Sequence, residues 1–220
     1  MKSKTLFIEM RRKLTESDID LSALNKLPGK TISLSAIIQY LDLIPIVKKY
    51  LEKQGKKVII KQGAKYPSHV LGCNSSAFDK SADTLLLLAD GKFHAINNAI
   101  QLQSPIYIYN TKNIEQISKQ DIETENKKTQ AKISKFLSYN IIGLIQSAKP
   151  GQLHPDIAKL KQKIQNKFPE KQIYIFESDN ISIQELENFP QIKIWINTAC
   201  PGLALDSEKI VNLKDIEQFI

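Results

Sequence analysis

Short stretches that open on concentrated apolar residues recur along this chain: TLLLLADGKFH (84–94), which stops at Asp90-Gly91, IIGLIQSA (141–148) and IKIWINTAC (192–200). A strand with one face in water alternates apolar and polar residues. A strand that does not alternate is covered on both faces, and in parallel sheets helices supply the cover. Helical patterns fall between these runs. DLIPIVKKYLEKQGKK (42–57) sets Ile46, Val47, Tyr50 and Leu51 at helical spacing and ends at Gly55. AINNAIQL (95–102) reads as a second helix. IAKLKQKIQNKF (157–168) reads as a third, with Ile157, Leu160, Ile164 and Phe168 on one face. Further strands are expected at KTISLSAIIQYL (30–41), VII (58–60), PIYIYN (105–110) and QIYIFES (172–178). These patterns define an α/β fold class: two parallel-sheet domains flanked by helices.

The strand–helix–strand order runs once, crosses a lysine-rich stretch (111–140), and runs again. That stretch has neither glycine nor proline. Ile114, Ile117 and Ile122, then Ile133, Phe136 and Leu137, keep helical spacing, so helices are expected to bridge two domains. SIQELENFP (182–190) predicts a short helix with Ser182 as N-cap and Glu185 closing a capping box.

Composition narrows the function classes. The 220 residues are 42% hydrophobic and 25% charged, ordinary for a globular chain. No stretch approaches the ~18 uninterrupted apolar residues of a membrane span. The start, MKSKTLFIEMRRKL, lacks the apolar core of a secretion signal, so the expected compartment is the cytoplasm. The net charge of +8 is almost entirely lysine, with Arg11 and Arg12 the only arginines. Base and phosphate recognition favours the planar guanidinium. Direct nucleic-acid binding is therefore not expected, nor is a membrane partner.

Chemistry-bearing residues are few. Cys73 lies in HVLGCNSS (69–76), where Gly72 allows a sharp bend and Asn74, Ser75 and Ser76 can satisfy loop amides. Cys200 lies in NTACPG, at the end of the last apolar run, where Pro201 prevents simple continuation of a strand. In open α/β sheets ligands sit beyond the carboxyl ends of the strands, which is where Cys200 falls. Two cysteines make no disulfide framework, and without a CxxC neither a zinc finger nor a dithiol redox pair is indicated. Each cysteine can be a metal ligand or nucleophile, or simply a small buried residue. His69, His94 and His154 read as structural or solvated. SAKPGQ (147–152) could cradle an anion, but one glycine reads more readily as a plain turn.

Taken in order, HVLGCNSS, LLLLADGKFH, IYIYN, IQSAKPGQLHPDIAKLKQKI and IWINTACPGLALD resemble successive segments of a radical S-adenosylmethionine enzyme of diphthamide synthesis, 2-(3-amino-3-carboxypropyl)histidine synthase. The resemblance covers roughly residues 28 to 207. It implies three homologous α/β domains, each giving one cysteine to a central 4Fe–4S cluster whose fourth iron binds S-adenosylmethionine. Cleavage of the cofactor's Cγ–S bond would give a 3-amino-3-carboxypropyl radical that adds to imidazole C2 of a histidine on elongation factor 2. Cys73 and Cys200 would then be metal ligands, as soft anionic thiolates suit iron–sulfur clusters. Asp90 and His94, matching the segment GDGRFH of that family, would be cofactor-binding residues.

The resemblance assigns residues 1–27 as a lead-in from the family's first domain, 28–130 as its second domain with Cys73, and 131–220 as its third with Cys200. The first domain and its cysteine are absent. Gly202 stands where the family usually has arginine, Ser76 where it has proline, and Ala89 in place of the first glycine of GDG. The expectation is a split enzyme: Met1 falls just before a domain boundary, and a separate first-domain protein would supply the third cysteine. A non-catalytic supporting subunit or degenerate paralogue is the alternative within the same pathway. Outside the resemblance stands a small-molecule binder with two buried cysteines.

Overall fold

The structure is a computed structural model that describes residues 8–220. Of the lead-in expected over 1–27, residues 1–7 lie outside the described residues. The chain divides into two compact units, one ending at Thr124 and the other running Glu125–Ile220. Both are parallel α/β sheets flanked by helices, the class that the unalternating strands imply.

In the first unit the order along the chain is β1 (Thr31–Ala36), α1 (Ile44–Lys53), β2 (Lys57–Ile59), β3 (Thr84–Leu88), α2 (Phe93–Leu102), β4 (Ile106–Tyr109) and β5 (Ile114–Ile117). In space the strands run β2-β1-β3-β4-β5. The first four are parallel, and β5 returns antiparallel along the edge. β3 is buried at every position and β1 at every position but the first, so a single apolar core covers both faces. Two serines of β1 are buried in that core. Ser33 Oγ accepts the Asp79 amide at 2.8 Å, and Ser35 Oγ donates to the Ala77 carbonyl at 3.2 Å. Both bonds tie the loop beyond Cys73 to β1.

The second unit starts within α3 (Lys119–Ser138) and continues β6 (Ile141–Ser147), α4 (Ile157–Lys167), β7 (Gln172–Ser178), α5 (Ile183–Leu186), β8 (Ile194–Asn197), β9 (Ile210–Asn212) and α6 (Leu213–Ile216). Its strands are all parallel, in the order β7-β6-β8-β9. One face packs Phe136, Leu144, Ile164 and Ile196. The other is built on Trp195, whose ring lies over Gly143 and meets Phe176 edge-on at 4.7 Å. Any Cβ at Gly143 would stand 2.0 Å from the indole, so the tryptophan requires a glycine on the neighbouring strand.

Several sequence expectations are corrected. The run 30–41 is a strand only to Ala36; Ile38–Leu43 forms a 3-10 helix that leads into α1. Ile114–Ile117 is a strand, not a helix. The Asn110 carboxamide oxygen accepts the amides of Lys112 and Asn113, and Thr111 takes φ 78, so the chain folds straight back onto β4. After β5 comes one 20-residue helix rather than several. The capping box expected at Ser182 does not form: its hydroxyl bonds Gln184. A reciprocal box occurs instead at Ser118 and Asp121, at the start of α3. Finally, β8 ends at Asn197, three residues before Cys200. Among the described residues no helix is long and apolar enough to cross a membrane.

Candidate functional site

Each unit carries one cysteine on a turn, and both thiols are free. Cys73 is exposed and Cys200 partly exposed, so the reading of two buried small residues is overturned.

Cys73 is at the tip of a two-residue turn. Leu71 and Asn74 exchange both backbone hydrogen bonds across it at 3.1 Å, leaving Gly72 and Cys73 at the apex. The segment reaching the turn lies along the carboxyl end of β1: the Ala36 amide donates to Ser68, and the Val70 amide donates to Ala36. The turn rests along α2, from Phe93 to Gln101. A Cβ at Gly72 would meet Phe93 Cε1 at 3.3 Å and His94 Cδ2 at 3.9 Å, so the glycine admits close approach. Asn98 Nδ2 donates to the Leu71 carbonyl at 3.0 Å and to the His94 carbonyl at 2.7 Å. Gln101 Nε2 donates to the Gly72 carbonyl at 2.7 Å. Leu71, on the turn, and Phe93, packed against Gly72, are both exposed.

The structure brings His94 to the Cys73 turn and holds Asp90 elsewhere. His94 is half-buried, and burial keeps its imidazole below the usual pKa, with His69 adding to the shift. Burial thus favours its neutral form. His69 is buried, also shifted down by burial, and neither ring nitrogen has a partner among the described residues. Asp90 follows β3 and pairs with Arg12 at 2.8 Å. The same guanidinium bonds the Tyr40 hydroxyl and lies 5.4 Å from its ring centroid. Burial, then the nearby Asp90 carboxylate, pushes the Tyr40 phenol up to about 12. Glu9, bonded to Lys65 and Tyr66, is held down at about 2. Both arginines of the chain thus fasten the segment around Glu9–Arg12 to the loops at the carboxyl edge of this sheet, Arg11 through Asp42.

Cys200 precedes a 3-10 turn, Pro201–Ala204. Asn197, nearly fully buried at the end of β8, organises it. Its Oδ1 accepts the Ala199 amide at 2.9 Å, while its Nδ2 donates to the Cys200 carbonyl at 2.9 Å and to Asn212 Oδ1 at 2.8 Å. Asn212 Nδ2 reaches the Pro201 carbonyl at 3.3 Å. Thr198 closes the corner, its amide and hydroxyl both donating to Ile145. The buried Lys132 amine of α3 holds the far end of the turn at the Ala204 carbonyl, and burial lowers its pKa. Gly202 is buried.

The remaining sequence candidates carry no site. In 147–152 the Lys149 amide is taken by Ser147 Oγ and the Gln152 amide by the Lys149 carbonyl, so the segment is a turn and not an anion cradle. His154 Nδ1 accepts the Asp156 amide at 3.2 Å. The polar residues of α2 and Asn212 have no signal of function in the sequence: they read as the solvated side of a helix and the end of a three-residue strand.

The fold and its cysteines define a parallel α/β protein of two units, each presenting one free cysteine on a braced turn. The particular family emerges from comparison. The model of the diphthamide synthesis protein family matches residues 1–211, and this chain belongs to that family. The 2-(3-amino-3-carboxypropyl)histidine synthase of Pyrococcus horikoshii is 29% identical over 81% of this chain and 52% of its own length. Subunit 1 of the synthase of Aspergillus fumigatus is 28% identical over 92% of this chain and 46% of its own. The crystal structure of Dph2 from Pyrococcus horikoshii with a 4Fe-4S cluster aligns at a TM-score of 0.76 and 26% identity, over 90% of this chain and 59% of that one. The chain spans about half the length of the curated relatives it matches.

Do these residues fit an iron–sulfur group? The two cysteines offer soft sulfur donors, neither of them buried and each on a hydrogen-bonded turn, which is the chemistry such a group needs. The count is short. The sequence holds two cysteines, and among the described residues no three metal-ligating side chains come together.

Proposed function

We propose that this chain provides Cys73 and Cys200 as two of the three thiolate ligands of a 4Fe–4S cluster in a 2-(3-amino-3-carboxypropyl)histidine synthase, with the third thiolate coming from a separate partner chain. The observation that carries the reading is the pair of free cysteines, one per unit, each unburied on a turn braced by hydrogen bonds. A buried structural cysteine needs no such bracing. The reaction is transfer of the 3-amino-3-carboxypropyl group of S-adenosylmethionine to a histidine of elongation factor 2, in the cytoplasm. When bound, the cluster supplies the electron and the open iron site that this radical chemistry requires.

The chain's own residues then have limited tasks. Cys73 and Cys200 hold iron. His94, next to the Cys73 turn, binds the cofactor by a ring nitrogen. Asp90 binds a cationic portion of the cofactor, provided that Arg12 releases it. The family domains assigned here are the second, carrying Cys73 (28–130), and the third, carrying Cys200 (131–220), after a lead-in over 1–27.

One observation favours the supporting-subunit reading: the Asp90 carboxylate is engaged by Arg12 rather than open. The experiment that separates the two is release of methylthioadenosine from S-adenosylmethionine by an anaerobic, iron–sulfur-reconstituted mixture of this chain, elongation factor 2 and a first-domain protein of the same genome, with dithionite as the one-electron reductant. The catalytic reading expects release that Cys73→Ser abolishes. Release that survives both Cys73→Ser and Cys200→Ser would assign this chain the supporting role.

A further inference from the structure

The two cysteine turns are held by the same chemical device, built from unrelated positions. At Cys73, side-chain amides of Asn98 and Gln101, one helical turn apart on α2, donate to the consecutive carbonyls of Leu71 and Gly72. At Cys200, side-chain amides of Asn197 and Asn212, on β8 and β9, donate to the consecutive carbonyls of Cys200 and Pro201. In each case two carboxamides grip two successive peptide groups at the cysteine. The bonds of both pairs go to backbone carbonyls and not to the sulfur. A turn needs no such grip to exist: the Leu71–Asn74 turn already has both of its own backbone bonds.

The geometry points to Asn98, Gln101, Asn197 and Asn212 as positioning residues that fix the backbone of each cysteine before a metal group arrives. The advantage is entropic. A ligand on a free loop must be ordered when it binds, at a backbone cost of ~1–2 kcal/mol per residue, whereas a preset turn has already been ordered by folding. The donors suit the task because a primary amide has two N–H groups. Asn98 uses both, on Leu71 and on its own helix at His94, and Asn197 uses both, on Cys200 and on Asn212. Each clamp is thereby anchored to a regular element. Asn98 gives up its other valence for this: its Oδ1 is buried without a partner among the described residues.

This inference rests on the ligand role proposed for the cysteines, so the test has one arm that needs no metal. Gln101 is the residue of choice because it is exposed, and its replacement leaves the core intact. Gln101→Met removes the donor without adding charge; Gln101→Lys retains a donor. In the metal-free chain, amide hydrogen exchange at Leu71 and Asn74 is expected to quicken about threefold to tenfold in the methionine variant, the range one neutral hydrogen bond sets, and to stay near the parent rate in the lysine variant. In the second arm, chelator-driven loss of the cluster from the reconstituted mixture is expected to quicken by a similar factor with Met and not with Lys. Unchanged exchange in Gln101→Met overturns the clamp. Faster exchange with unchanged cluster loss overturns the positioning role, leaving a lock on the turn alone. A parent mixture that takes up no cluster overturns the ligand reading and the positioning role with it, while the exchange arm still decides whether the clamp exists.

Discussion

The two units share a strand order but not a cysteine position. In the first, β2-β1-β3-β4 run side by side; in the second, β7-β6-β8-β9 repeat the same sequence of neighbours. Even a minor device recurs. The lysine just before the second strand donates to two carbonyls ahead of the first strand: Lys56 to Leu27 and Gly29, Lys171 to Leu137 and Tyr139. Yet Cys73 lies ahead of β3, in the connection from β2, while Cys200 lies after β8, which holds the place of β3. The frame is repeated and the cysteine turn is not. A parallel sheet constrains its strands strongly, because its central strands are buried on both faces. The loops at its carboxyl edge are free to differ, and there each unit braces its cysteine separately.

The largest effect expected from breaking this comparison is in the frame. Gly143→Ala would drive a methyl into Trp195, and overpacking of that severity costs about 3 kcal/mol or more. Trp195 is the only tryptophan, so its fluorescence should report unfolding of the second unit at clearly lower denaturant, with the first unit's transition by circular dichroism little changed. A single shared shift would mean that the units unfold as one.

Next come the braces. Asn197→Leu removes three hydrogen bonds at a buried position, an expected loss of about 3 kcal/mol. Asn98→Leu removes two and also discards a buried oxygen that already lacks a partner, so about 1–2 kcal/mol is expected. Urea titrations that gave the reverse order would show that the brace at Cys73 is the stronger one.

Acid should also separate the units. His69 and His94, both in the first unit, have pKa values pushed below 6.5 by burial. The unfolded chain therefore takes up protons that the folded chain refuses, and the first unit should lose stability as the pH falls below about 6.5. Asp215, in the second unit, is shifted the opposite way, above 3.8, again by burial. Its contribution is lost as pH rises through that raised value and is fully present only below 3.8. Between about pH 7.5 and 5.5, the window around the histidine pKa, the first unit's midpoint should drop and the second's should hold. His69→Leu should flatten the first curve; an unchanged slope would remove His69 from the account. The smallest effect is expected at Asp90→Asn. Its partner Arg12 is half-exposed, so thermal stability should shift by less than about 0.5 kcal/mol.

Much of the fold is legible in the sequence because burial writes itself into composition. Residues 85–88 are all leucine, and they form a strand buried on both faces. Ile114 and Ile117 are harder. Spaced by three, they suit a helix as well as a strand, and the decision lies outside them, in the Asn110 side chain that turns the backbone. β9 is three residues long and leaves no periodicity to detect. The cysteines stand out by rarity and by their motifs, but their braces do not. Asn98 and Gln101 are ordinary on a helix, and only the folded chain puts them against Leu71 and Gly72, 27 and 29 residues earlier.

The measurement that tests the central claim most directly is anaerobic iron–sulfur reconstitution, read by visible absorption and electron paramagnetic resonance, on this chain alone and mixed with the first-domain protein. The account predicts a 4Fe–4S signature in the mixture that disappears with either Cys73→Ser or Cys200→Ser. A mixture that forms no cluster, or a cluster that survives both substitutions, would contradict it.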